Sequence, residues 1–189
     1  LQLRDGTDWE FWADRETTPR VARFARILGL PPLNGSPGVR KLIFAHQGPC
    51  RESRHPSGEW FTRHLRVIKL HYHPEKPVVH CEMGPDRQDV VEIFKLQNSL
   101  FPIYETAQAK GGVPIHGALI ERDGMAVVIA ARGGTGKSTC CNRLPPPWNP
   151  LCDDDTLIVK TAGEQSYGAH PFPTWSRFAD ASCRDSWNV

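Results

Sequence analysis

The sequence predicts a mixed α/β fold, an α+β arrangement around a mixed sheet with a mostly β N-terminal part, and three observations predict it. The chain carries 17 prolines and 16 glycines in 189 residues, too many breaks for a bundle of long helices. Short apolar runs recur between turn signals. One of them, Met125 to Ala131, empties into the glycine-rich stretch "RGGTGKST", and a short helical stretch follows.

Bulk properties limit the function classes. A hydrophobic share of 39% suffices for a core, and 189 residues suit one domain with a small appended subdomain. With 23 basic against 21 acidic residues the net charge is +2, too weak a field to argue for nucleic acid or an anionic membrane as partner. No run nears the ~18 apolar residues that a membrane span needs, and the first residues lack a secretory-signal pattern. Six cysteines, with no C-x-x-C and with Cys140 and Cys141 adjacent, predict reduced thiols in a cytoplasmic protein. The chain opens at Leu1 without Met and stops at Val189; the expectation is of more protein beyond, the C-terminus in particular.

In order, "DWEFW" predicts a short strand. "TTPRVARFARILGLPP" predicts one helix, with Pro19 in its first turn, Val21, Phe24, Ile27 and Leu28 on one face, and Gly29 with Pro31 ending it. Strands are expected over 38–48, 59–73 and 76–83, the last two joined by the loop "HPEK". Residues 86–110 are helix-like, and Pro102 divides them into two pieces. "VPIHGALIE", "RDG" and "MAVVIAA" then form a hairpin with Asp123-Gly124 as its turn. Residues 1–85 are thus expected as a β-rich N-terminal subdomain and 86–189 as the core that carries the chemistry.

That chemistry begins at the glycine stretch. The phosphate-loop pattern G-x-x-x-x-G-K-[ST] is met except at its first position, Ala131. The nucleotide-binding candidates are Arg132, Gly133, Gly134, Thr135, Gly136, Lys137, Ser138 and Thr139. Glycines let backbone N–H groups converge on phosphate oxygens without a Cβ in the way. Lys137 supplies an ammonium for the β- and γ-phosphates. Ser138 offers a hydroxyl to Mg²⁺ and opens a helix whose N-terminus favours an anion. Downstream, Asp153, Asp154 and Asp155 stand in a row just before an apolar strand, Thr156 to Val159. Adjacent carboxylates repel unless a cation offsets them. Such a site calls for one carboxylate on the metal and another that accepts a proton from a hydroxyl. The cofactors expected are ATP and Mg²⁺, with Ser138, Asp153 and Asp154 as metal ligands.

The run "PIHGALIERDGMAVVIAARGGTGKST…PLCDDDTLIV" resembles the catalytic core of HPr kinase/phosphorylase, which recurs in phosphoenolpyruvate carboxykinases. It is most similar to the HPr-kinase-related proteins of peptide-modifying gene cassettes, such as SynChlorMet cassette protein C. The resemblance covers roughly residues 86–178. It implies an HPr kinase/PEP carboxykinase-like P-loop core, and it places His116 beside the nucleotide phosphates. Two of the three aspartates become the base and metal ligand, spacing favouring Asp154 and Asp155, so the catalytic candidates are His116, Asp154 and Asp155. It also implies a kinase acting on a Ser or Thr hydroxyl of a small protein or peptide, and is compatible with a homo-oligomer. Ala131, the helix cut short by "PPPW" and the missing HPr-binding signature set HPr itself aside as substrate.

Two rivals remain open: a nucleotide-gated module of weak catalysis that recruits a peptide, and small-molecule chemistry of the carboxykinase kind. Elsewhere, His71, His73, His80 and Cys81 suggest a zinc site across a hairpin. The aromatic stretch Tyr167 to Phe178, with His170 and Arg177, suggests a pocket wall.

Overall fold

Residues that alternate apolar and polar build the first sheet. A computed structural model describes residues 1–31, 38–47, 60–84, 89–172 and 187–188. Two units share the chain: one comprises residues 1–7, 26–31 and 103–189, the other residues 8–25 and 32–102.

The second-named unit holds a five-stranded sheet in the order β1-β2-β5-β4-β3. β1 (Trp9–Ala13) and β2 (Arg40–Ala45) run parallel, and α1 (Thr18–Ile27) lies between them in sequence. Asp14 starts α1: its carboxylate accepts the Thr17 N–H and hydroxyl, each at 2.7 Å, and the His46 N–H at 2.7 Å. On one face Leu42, Phe44, Leu70 and Cys81 are fully buried. Phe11, Phe24 and Phe44 meet there with ring centroids 5.6–6.5 Å apart.

The single strand expected over 59–73 is two. β3 (Phe61–His64) and β4 (Lys69–Tyr72) pair antiparallel, and Leu65 donates its N–H to Ile68 O across the turn. Leu65 to Ile68 hold no glycine, proline, asparagine or aspartate, so no turn signal in the sequence marks this turn. β4 and β5 (Val78–Glu82) form the expected hairpin. Helix α2 (Asp89–Ser99) gives way to α3 (Phe101–Gln108), with Pro102 in the first turn of the second piece, where its missing N–H costs nothing.

The other unit holds a six-stranded sheet in the order β7-β11-β10-β9-β6-β8, with β7 and β6 also paired. β6 (Val113–Arg122) and β7 (Met125–Ala130) are the expected hairpin; Arg122 faces Met125, and Asp123 and Gly124 turn at φ 53° and 81°. β8 (Asn149–Cys152), β9 (Asp155–Lys160), β10 (Tyr167–Phe172) and β11 (Trp187–Asn188) complete it. Leu119, Ala126, Leu151, Cys152 and Ala169 form one apolar cluster. Ala118 and Ile120 form another with Cys141 of α4 (Lys137–Cys141). The fold is therefore α+β, with two sheets and few helices. Among the described residues, Cys81, Cys140, Cys141 and Cys152 are free thiols, and no helix is long and apolar enough to cross a membrane.

Candidate functional site

The β6–β7 hairpin sets the site's geometry. β7 ends at Ala130, the chain turns through Ala131–Gly136, and α4 begins at Lys137. Gly136 caps α4 at φ 98°, a conformation that strains any side chain. Cys141, buried against Ala118 and Ile120, anchors α4 to β6. Burial also pushes its thiol up to about 11, so it acts as a small apolar group. Within the loop, the Thr135 hydroxyl donates to Arg132 O at 2.7 Å. Lys137 is 8% exposed, and its ammonium donates to Ala131 O at 2.9 Å. At five residues α4 has little dipole, so attraction for an anion here rests on that ammonium and on the loop's N–H groups.

β9 supplies the acids through its register with β6. His116 pairs directly with Asp155, and partners in an antiparallel ladder share a face. His116 Nδ1 lies 3.4 Å from Asp155 Oδ1 and 3.6 Å from Asp154 Oδ1. The two carboxylate side chains are 11% and 18% exposed for Asp154 and Asp155, and the imidazole is 60% exposed. Gly117 lets the strands approach: a Cβ there would stand 3.0 Å from Ile129 O and 3.2 Å from Ile115 Cγ2. Its N–H donates to Asp154 O at 2.9 Å, and its carbonyl accepts the Thr156 hydroxyl at 3.2 Å. These bonds pin the start of β9 beside His116.

Together these elements enclose a cavity of about 500 Å³ lined by His116, Gly133, Gly134, Gly136, Lys137, Ser138, Thr139, Asp153 and Asp154. Its size is that of a small-molecule pocket. Of the residues singled out from sequence, Arg132, Thr135 and Asp155 stand outside this lining, and Asp155 meets His116, which is part of it. His116, Asp154 and Asp155 each present one ligating atom within 4.8 Å of the others, which among the described residues no other group of three His, Cys, Asp or Glu achieves. Two carboxylate oxygens and an imidazole nitrogen suit a divalent cation.

The suggested zinc cluster does not form. Cys81 faces the buried side of its strand opposite Leu70, while His80 faces the other side opposite His71, as the period of two requires. His71 instead bonds Glu82 at 3.1 Å and Thr62 at 2.9 Å. His170 is buried and accepts the Arg4 N–H at 3.1 Å. Arg177, like residues 173–178 of the aromatic stretch, lies outside the described residues. Sequence reading missed Tyr104 of α3. Among the described residues its covered hydroxyl has no hydrogen-bond partner, and the charges of Asp155 and Asp154 reach it. No pattern along the chain links a helical tyrosine to acids on a later strand.

An HPr kinase/phosphorylase of Mycoplasmopsis pulmonis (strain UAB CTIP) is 30% identical over 77 residues, 41% of this chain. The chain spans about a quarter, 25%, of that protein's length. No solved structure matches the chain. The family described as SynChlorMet cassette protein ScmC matches residues 79–189, a span that holds the hairpin, the glycine loop and the three aspartates, and the chain belongs to that family.

Proposed function

We propose that this chain is an ATP- and Mg²⁺-dependent phosphotransferase, with residues 86–189 carrying the chemistry and a Ser or Thr hydroxyl of a small protein or peptide as acceptor. The observation that carries the reading is the joining, in one cavity, of a glycine loop and a lysine ammonium with carboxylates and an imidazole. The first set binds phosphate, and the second handles a proton and a cation. The partial likeness to an HPr kinase/phosphorylase supports it, and membership of a cassette family supports a peptide partner.

In this reading the N–H groups of Gly133, Gly134 and Gly136 hold the phosphates, and Lys137 leaves Ala131 O to meet the β- and γ-oxygens. Ser138, Asp153 and Asp154 hold Mg²⁺, with His116 and Asp155 alongside. Bound there, the cation offsets the charge that builds on the transferring phosphoryl group. The acceptor hydroxyl gives its proton to an aspartate as its oxygen bonds the γ-phosphorus and the bond to ADP breaks. His116 steadies that aspartate.

A second reading has one observation in its favour. Lys137 is tied to Ala131 O, as it would be in a module that binds nucleotide to recruit a peptide and turns it over slowly. The experiment that separates them is phosphoryl transfer from Mg²⁺-ATP to Ser- and Thr-containing peptides, followed by mass spectrometry. A phosphorylated product from the wild type, cut roughly 100- to 1,000-fold in Lys137→Ala, is expected. Tight ATP binding with no product on any peptide would turn the assignment to the recruiting module.

A further inference from the structure

We propose that Tyr104 is a positioning residue for phosphoryl transfer, its hydroxyl donating to Asp155 when substrate fills the cavity. The inference rests on the phosphotransferase reading above.

Three observations carry it. First, the Tyr104 hydroxyl is covered from solvent and has no hydrogen-bond partner among the described residues. A buried donor without an acceptor destabilises a fold, and phenylalanine would fill nearly the same volume without that cost. The protein therefore carries a hydroxyl that its folding does not need, which is expected where function asks for it.

Second, the ring is held in place. It packs edge-on against Phe172 at 5.4 Å and 82°. Phe172 is the register partner of Asp155 on β10, and Asp155 is the register partner of His116 on β6. Phe172, Asp155 and His116 thus stand in a row across β10, β9 and β6, with Tyr104 packed on the Phe172 end of that row and within reach of the charge of Asp155.

Third, the hydroxyl keeps its proton. Burial raises its pKa well above the ordinary tyrosine value, and the charges of Asp155 and Asp154 raise it further. Tyr104 is then a donor at every working pH. Held between an imidazole and a phenol, Asp155 has a fixed orientation. It is so set to accept the proton, while Asp154, which lines the cavity, is left to the cation. The two neighbouring carboxylates, alike in sequence, so take different tasks.

The test is Tyr104→Phe in the full chain, with thermal melting, Mg²⁺-ATP affinity, and kcat and KM measured on each protein. Without ligand the variant should melt at or above the wild-type temperature, because an unpaired buried hydroxyl has gone. ATP affinity and KM should stay within about twofold while kcat falls about tenfold, the mark of a misplaced reacting group. Phe172→Leu keeps the hydroxyl but loosens the ring, and it should lower kcat in the same direction with KM held.

A Tyr104→Phe protein with wild-type kcat overturns the proposal. So does one that unfolds or melts well below the wild type, since the hydroxyl would then be bonded within the fold. A wild type that binds ATP and transfers nothing overturns the parent reading, and this inference with it. That failure shows in the unaltered protein, so the two are told apart.

Discussion

Each of the two sheets carries a histidine set against carboxylate, and the two arrangements differ in charge balance and in exposure. In the five-stranded sheet, Glu82 accepts from Lys69 at 2.7 Å and from His71 at 3.1 Å, and His71 also meets the Thr62 hydroxyl. One negative group faces two basic ones, and the His71 side chain is 11% exposed. In the six-stranded sheet, His116 faces Asp154 and Asp155 with Asp153 beside them, and its side chain is 60% exposed. There the acids outnumber the base and the group opens on a cavity. A balanced, closed network has little left to offer a ligand. An unbalanced and open one attracts a cation and can pass a proton.

The largest expected effect tests the open cluster. Asp154→Asn or Asp155→Asn should cut phosphoryl transfer by roughly 100- to 10,000-fold, the range for removing a proton acceptor, while ATP still binds by calorimetry. An active double variant would break the comparison, leaving the acids as no more than a charged rim.

Next comes the closed side. Phe44→Ala removes a fully buried ring from the aromatic trio and should cost about 3–5 kcal/mol in chemical denaturation. ATP affinity measured below the transition should hold. If it fell as well, the site would depend on this sheet, and the separation of roles drawn above would fail.

The smallest effect sharpens the contrast. Burial alone raises the Glu82 carboxyl, but hydrogen bonds from Lys69 and His71 and their charges outweigh it and hold it below the ordinary 4.5. A carboxylate depressed in the folded state stabilises it above the unfolded value and stops doing so as pH falls through the folded one. Glu82→Gln should therefore cost about 1 kcal/mol at neutral pH, and that difference should shrink as melting is repeated down to about pH 3. A cost that stays constant with pH would mean that packing, and not charge, is the contribution.

Much of the fold was readable because its signals are local. Asp123-Gly124 between two apolar runs makes a hairpin through backbone preferences of two residues, and Pro102 divides a helix through its own ring. Pro19, Val21, Phe24 and Gly29 bound α1 by capping and period. The turn between β7 and α4 was equally plain, because glycines between an apolar run and a short helical stretch break the strand there. Hidden features lie where a turn carries no glycine, proline, asparagine or aspartate, as between β3 and β4, or where chain-distant elements meet. The zinc cluster suggested by His71, His73, His80 and Cys81 failed at that point, since a strand turns the adjacent His80 and Cys81 to opposite faces.

Taken alone, the sequence determined which residues offer an ammonium, a hydroxyl, carboxylates and an imidazole, and on which hairpin and loop they sit. Tertiary structure decided which of them meet. His116 reaches Asp155 because β6 and β9 pair in one register, Lys137 rests on Ala131 O because the loop closes on itself, and Tyr104 nears the acids by standing on Phe172. Such meetings depend on contacts between residues far apart along the chain. Backbone preference, which acts over a few neighbours, carries no record of them.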